Sequence, residues 1–312
     1  MICHQKLSIN IGVSVLFLVR SIVLISAISL LTTIASADDT LSTAEVMETL
    51  DESDWRQPDP ANLLYVQLAS GTVIIELAPN FAPHSIANIK TLAEEKYFDG
   101  LAIIRSQENY VVQWGDPYEE EDSAKPLGSA RKTVTAEFER SLDGIEIIKI
   151  NSRDAYADIV GFSGGFPVAS NGTNAWLAHC YGMVGVSRGN ESNSGNGASL
   201  YVVTGHAPRH LDRNVSLVGR VISGMESLTI LPRGTGALGF YESIDETVAL
   251  ISIRVGKNVA KADRTNIEIM RTDTEAFADY ILSRTYRNEE WFVEATGRIE
   301  LCNINPPLRV RD

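Results

Sequence analysis

Cysteine is scarce, with three in 312 residues, and no C-x-x-C spacing links any of them. Thiol redox catalysis and cysteine-based zinc sites therefore lack their usual signature. Basic residues are also in short supply, 27 against 40 acidic, for a formal charge of −13. An acidic chain repels phosphate backbones, which argues against nucleic acid as a partner. What remains is ordinary globular composition, 44% hydrophobic and 21% charged. It excludes disorder throughout, and the length suits one large domain or two small ones.

The first 37 residues stand apart. Lys6 and Arg20 are their only basic residues, no acid occurs, and an apolar run from Ile22 to Ile34 ends in Ala35-Ser36-Ala37. This is the pattern of a secretory signal with a small-residue cleavage site, leaving Asp38 as the mature N-terminus. The apolar character reaches back to Ile9, long enough to span roughly 30 Å of hydrocarbon, so an uncleaved membrane anchor is the alternative. Cleavage removes Lys6 and Arg20 and takes the 27 basic residues to 25 against 40 acidic, hence −13 to −15. It also removes Cys3. Cys180 and Cys302 remain as an even pair in a compartment that permits disulfides; two buried thiols are the other reading.

Residues 38–60 are acidic, contain Pro58 and Pro60, and read as a surface leader with a short helix around Ala44 to Leu50. Asn62 to Ala69 and Thr72 to Leu77 form a hairpin pattern about Ser70-Gly71. Pro83 suits the first turn of a helix whose apolar face is Ile86, Ile89, Leu92 and Ala93. Strands are expected at 101–105, 110–113, 182–187, 200–204, 217–222 and 248–255. The stretch between Asp116 and Gly182 resists assignment. Beyond Gly256, a helix is expected from about Asp273 to Tyr286, and the end at Pro306-Pro307 reads as coil. Short strands with one or two helices suggest a closed antiparallel barrel.

Chemistry concentrates in Ile103-Ile104-Arg105 and Tyr110-Val111-Val112-Gln113-Trp114-Gly115-Asp116, where one cation sits on an otherwise apolar strand and needs a partner. Gly197 to Val202 leads small residues into an aromatic strand, and His210-Leu211-Asp212 with Val218-Gly219-Arg220-Val221 completes the series. In order and spacing, these segments resemble the cyclophilin family, together with Ala82-Pro83, Asn88, Gly182 to Arg188 and Gly224-Met225. The resemblance covers about residues 62–255, apart from an insertion near 117–178.

That resemblance implies a mainly β fold: a closed eight-stranded antiparallel cyclophilin-like barrel capped by two helices, here with an inserted loop region and a helical tail. The expected organisation is a signal at 1–37, a leader at 38–60, an isomerase domain at 61–256 and an extension at 257–312. It also implies peptidyl-prolyl cis-trans isomerase activity without metal or cofactor. Arg105 matches the catalytic arginine and Gln113 the glutamine that holds the substrate backbone. Tyr110, Val111, Tyr201 and Leu211 match the walls of the proline pocket, Ser187 a small backbone-contacting position, and His210 the place where an aromatic closes the pocket. The expected partners are proline-containing segments of exported proteins, with no membrane contact once the signal is cleaved, in a periplasmic setting.

The chemistry is rotation about an X-Pro amide, over a barrier of roughly 18 to 20 kcal/mol set by C–N double-bond character. A donor aimed at the prolyl nitrogen stabilises the twisted amide more than the planar one. Arginine can do this without changing protonation state. Four positions depart from the family pattern: Ile103-Ile104 replaces a phenylalanine-histidine pair, His210 an aromatic, and Val215 a frequent histidine. They motivate the alternative of a catalytically weak chaperone or prolyl-peptide binding module.

Other motifs fare worse. Gly185-Val186-Ser187-Arg188-Gly189 fits a nucleophile elbow, but the Gly, Asn and Ser run that follows cannot hold the required helix. His206 and His210 have the spacing of helical metal ligands, yet Pro208 lies between them. Three Asn-x-Ser/Thr triplets, at Asn171, Asn190 and Asn214, matter only in a eukaryotic secretory pathway.

Overall fold

A computed structural model describes residues 40–311; the signal segment read at 1–37 lies outside the described residues. Helix α1 (Thr43–Thr49) starts at Ser42, whose side chain and that of Glu45 cap each other's backbone amides. A short strand β1 (Trp55–Arg56) follows, then the hairpin of β2 (Leu63–Leu68) and β3 (Gly71–Leu77). Pro83 occupies the first turn of α2 (Pro83–Glu94). No side chain of its own caps this helix; the His84 and Ser85 amides instead donate to the Glu137 carboxylate, each at 2.8 Å. Strands β4 (Ala102–Ser106) and β5 (Val111–Gly115) come next.

The insertion then contributes β6 (Arg140–Ser141), β7 (Ile148–Lys149), β8 (Ile159–Ser163), β9 (Phe166–Ser170) and β10 (Asn174–Leu177). The chain returns through β11 (Met183–Val186), β12 (Leu200–Val203), β13 (Leu217–Ser223), the short helix α3 (Met225–Thr229) and β14 (Val248–Val255). It finishes with β15 (Ile267–Met270), α4 (Glu275–Tyr286) and β16 (Leu308–Val310).

Eight strands close into a barrel in the order β11-β12-β5-β4-β14-β2-β3-β13, all neighbours antiparallel. Closure leaves no free sheet edge. Leu64, Val66, Ile75, Ile103, Val112, Trp114, Val202 and Val218 fill its core, joined by Ile86, Ile89 and Leu92 of α2 and Leu228 of α3. Because side chains alternate along a strand, the inward placing of Val112 and Trp114 turns Val111 and Gln113 to the outer face.

The inserted region, expected as a loop, is more ordered than that. It forms a five-stranded sheet, β6-β10-β9-β8-β7. Leader and tail cover it: Val46 of α1, Phe277 and Tyr280 of α4, and Leu301 and Ile304 share one core with Phe162, Val168 and Trp176. The leader, expected at the surface, therefore buries Val46 completely. The tail end, expected as coil, has the Pro307 carbonyl accepting from Met270 N–H at 2.9 Å, and β16 then pairs with β15. Cys180 and Cys302 form a disulfide with their Cα atoms 5.0 Å apart, joining the approach to β11 to the tail. Among the described residues, no helix is long and apolar enough to cross a membrane.

Candidate active site

One row of residues crosses four barrel strands: Arg105 on β4 faces Gln113 on β5, Gln113 faces Tyr201 on β12, and Tyr201 faces Gly185 on β11. The register slips between Ile103 and Arg105, a bulge that re-aims the arginine within an otherwise regular ladder. Arg105, Tyr110, Val111, Gln113, Ser187, Tyr201 and Leu211 all line one cavity of about 270 Å³, with Val186, Arg188 and Val215. No insertion residue lines it.

His210 is not among them. It is exposed and lines a neighbouring cavity with Trp176 and Arg213, so the expected closure of the proline pocket by His210 is not what this geometry provides. Residues 209–211 form a single 3₁₀ turn. Successive side chains there point about 120° apart, so Leu211 reaches the pocket, Arg209 is buried and His210 faces solvent.

Arg105 is half-buried and has no carboxylate partner among the described residues. Its Nε donates to the Leu238 carbonyl at 2.7 Å, and a terminal nitrogen donates to Gln107 Oε1. The rings of Tyr110 and Phe240 flank the guanidinium at 5.4 and 5.1 Å. Burial lowers its pKa from the ordinary value, yet it stays a cation throughout the physiological range. Two of its five N–H groups are engaged, which leaves three for a ligand.

Gln113 is fixed by the logic of donors. Ser199 gives its hydroxyl proton to the Trp114 carbonyl at 3.0 Å, so it must accept from Gln113 Nε2 at 3.1 Å. The same Nε2 donates to Ser187 Oγ at 3.0 Å. Both amide protons are thereby used, and the Gln113 carbonyl oxygen is left as an acceptor.

Tyr201 is held from behind by residues to which sequence reasoning gave no role. Its hydroxyl meets His179 Nε2 at 2.9 Å, and His179 Nδ1 meets Asp212 Oδ1 at 2.8 Å. Asp212 also accepts from the His179 amide, Trp176 Nε1 and Arg209 Nε, the last at 2.6 Å. Arg209 in turn grips Asp154 of the insertion through both terminal nitrogens, at 2.8 and 3.2 Å. Burial pushes the His179 pKa below its ordinary value despite Asp212, so the ring is neutral and can accept from the phenol. Burial alone would push the Asp212 carboxyl up; the His179 hydrogen bond and the Arg209 charge outweigh it and hold it low.

Gly185 was missed as well. A Cβ there would come within 2.3 to 2.6 Å of the Tyr201 ring, so only glycine lets the ring lie across β11. Phe240 and Leu238 were invisible for another reason: they lie more than 130 residues from Arg105, in a loop with no motif.

A family model described as cyclophilin type peptidyl-prolyl cis-trans isomerase matches residues 63–253. The chain belongs to this family. Among its curated relatives are probable peptidyl-prolyl cis-trans isomerases of Brucella suis and Brucella melitensis, each 24% identical over 180 residues, spanning 57% of this chain and 76% of the relative. Among solved structures it is similar to cyclophilin AquaCyp293 from Hirschia baltica, with a TM-score of 0.65 and 25% identity. That match covers 86% of this chain and 97% of the other, so it extends beyond the barrel. This cyclophilin is therefore a peptidyl-prolyl cis-trans isomerase that acts on proline-containing polypeptides.

Proposed function

We propose that catalysis centres on Arg105, with Gln113 and Ser187 holding the substrate backbone and Tyr110, Val111, Tyr201 and Leu211 forming the proline pocket. One observation carries this reading. Arg105 is a half-buried cation held only by neutral groups, with three unused N–H donors, at the rim of a cavity with aromatic and apolar walls. A prolyl ring placed against Val111 and Tyr201 would bring its nitrogen into the field of that guanidinium. As the amide twists, the nitrogen lone pair localises and gains more from a charged donor than the planar amide does. The Gln113 carbonyl would accept a substrate N–H and hold one side of the bond while the other rotates.

The same observation favours catalysis over the reading of a passive prolyl-peptide binding module, because the arginine is open to the pocket and the insertion does not cover it. Cis-trans exchange in a short X-Pro peptide, followed by NMR exchange spectroscopy, tests the proposal. Rapid exchange that is lost in Arg105→Ala with peptide binding retained supports it. Peptide binding without exchange by the unaltered protein would instead establish the binding module.

The signal pattern at 1–37 and the Cys180–Cys302 disulfide support an exported, periplasmic setting. There the clients would be newly exported chains whose X-Pro bonds limit folding. N-terminal sequencing of the protein recovered from an envelope fraction tests this, with Asp38 as the expected first residue.

A further inference from the structure

Nine arginines of the described residues sit against carboxylates. Four that have no such partner converge on one place. Arg153, Arg284, Arg287 and Arg298 line a single cavity of about 1040 Å³, between the insertion and the tail. It shares no residue with the proline pocket.

Arg284 and Arg287 belong to the C-terminal end of α4, and the Arg287 guanidinium lies over the Phe292 ring at 5.2 Å. The helix dipole favours cations at that end and accounts for these two. It does not account for Arg153, which comes from the insertion, or for Arg298, which comes from the tail. Nor does it satisfy Arg284 Nε, a buried donor with no hydrogen-bond partner among the described residues. Leaving such a donor unpaired is costly unless a ligand or solvent takes it.

Gathering four unpaired guanidinium groups in a chain of net charge −13 is electrostatically unfavourable without an anion. Glu294 and Glu300 also line the cavity, so four cations stand against two anions and a surplus of two positive charges remains. A single carboxylate brings one negative charge and two oxygens to this surplus. A multivalent phosphate presents more oxygens, and guanidinium forks match them two at a time. The disulfide fixes Cys302 in the cavity wall, so insertion and tail present their arginines from a stapled frame.

We propose that this cavity is a binding site for a multivalent phosphate group, free or carried on a lipid headgroup. Arg153 and Arg298 are exposed, and their replacement leaves the core untouched. Calorimetric titration of the protein with inorganic pyrophosphate at low salt should show saturable binding. Arg153→Gln and Arg298→Gln should each weaken it by about tenfold, while prolyl exchange stays at the unaltered rate and reports an intact fold. Arg284→Gln should weaken it at least as much. Flotation with vesicles containing phosphatidic acid, whose headgroup is a phosphomonoester, but not with phosphatidylcholine, that is lost in the Arg153→Gln/Arg298→Gln double variant would assign the phosphate to a lipid. Pyrophosphate binding without flotation would assign it to a soluble ligand. Absence of both, or pyrophosphate binding indifferent to the Arg153 and Arg298 replacements, would overturn the proposal.

Discussion

Arg105 lines the cavity of the central row and Arg209 stands behind its Tyr201 wall, and the two are held in opposite ways. Arg209 has its side chain 2% exposed and lies between Asp154 and Asp212, so its charge is spent within the protein. Arg105, in the row of Gln113 and Tyr201, is held by a carbonyl, an amide oxygen and two aromatic faces, all neutral. A buried cation with two carboxylates is a structural tie. A half-buried cation held only by dipoles keeps its charge available, at some cost in desolvation. On the proposed reading, the protein separates the cation that builds the pocket from the cation left for the substrate.

The comparison breaks most visibly at Arg209. Arg209→Ala leaves Asp154 and Asp212 buried without their counter-ion and should cost about 3–5 kcal/mol of stability, read by chemical denaturation. If stability were unchanged, Arg209 would be no tie at all. Arg105→Ala should behave conversely. Prolyl exchange should fall by about a hundredfold, as for loss of one preorganised donor, while the unfolding midpoint hardly moves. A large stability loss there would place Arg105 in the same class as Arg209.

Gly185→Ala tests how the pocket wall is seated. The added methyl must displace the Tyr201 ring, with a strain of about 1–3 kcal/mol, and should weaken peptide binding more than it slows exchange in the bound peptide. His179→Asn is expected to have the smallest effect. Asparagine can keep the hydrogen bond to Asp212 but cannot reach the Tyr201 hydroxyl, a loss of about 1 kcal/mol that should vanish in a Tyr201→Phe background.

The same histidine sharpens the comparison through pH. Its pKa in the folded protein lies below the ordinary value of 6.5, so the unfolded chain binds the extra proton first and stability falls as pH drops below 6.5. Asp212 is likewise depressed and adds a second loss as pH falls below its unfolded value of 3.8. The groups that face His179 are Tyr201, Asp212, Arg209 and His210. Removing the imidazole by His179→Asn should flatten the first part of this acid limb and shrink the second to what Arg209 and the asparagine bond to Asp212 supply.

Much of this site was legible because its residues announce themselves locally. A cation on an apolar strand, a glutamine eight positions later and an aromatic on a third strand recur in recognisable order, and all three meet in one row. The eight barrel strands were legible for a similar reason, since alternation and turn residues act over a few positions. His210 shows the limit of that reasoning. Its position in the series was right for closing the pocket, but a single 3₁₀ turn directs it outward. The sheet of the insertion escaped notice because β6 and β7 have two residues each, and β8 and β9 meet across Gly164-Gly165 in a stretch whose glycines read as loop.

By itself, then, the sequence determined where the eight barrel strands lie along the chain and the three side chains of the central row, because each is written in short-range periodicity or motif. Only tertiary structure decided what surrounds them. The burial of Val46 under the insertion, the approach of Leu238 and Phe240 to Arg105, and the chain of contacts from Tyr201 to Asp154 all join residues far apart in sequence. Such contacts form because buried apolar surface and unpaired polar groups must find partners wherever the closed barrel brings them, and no local pattern records which partner that will be.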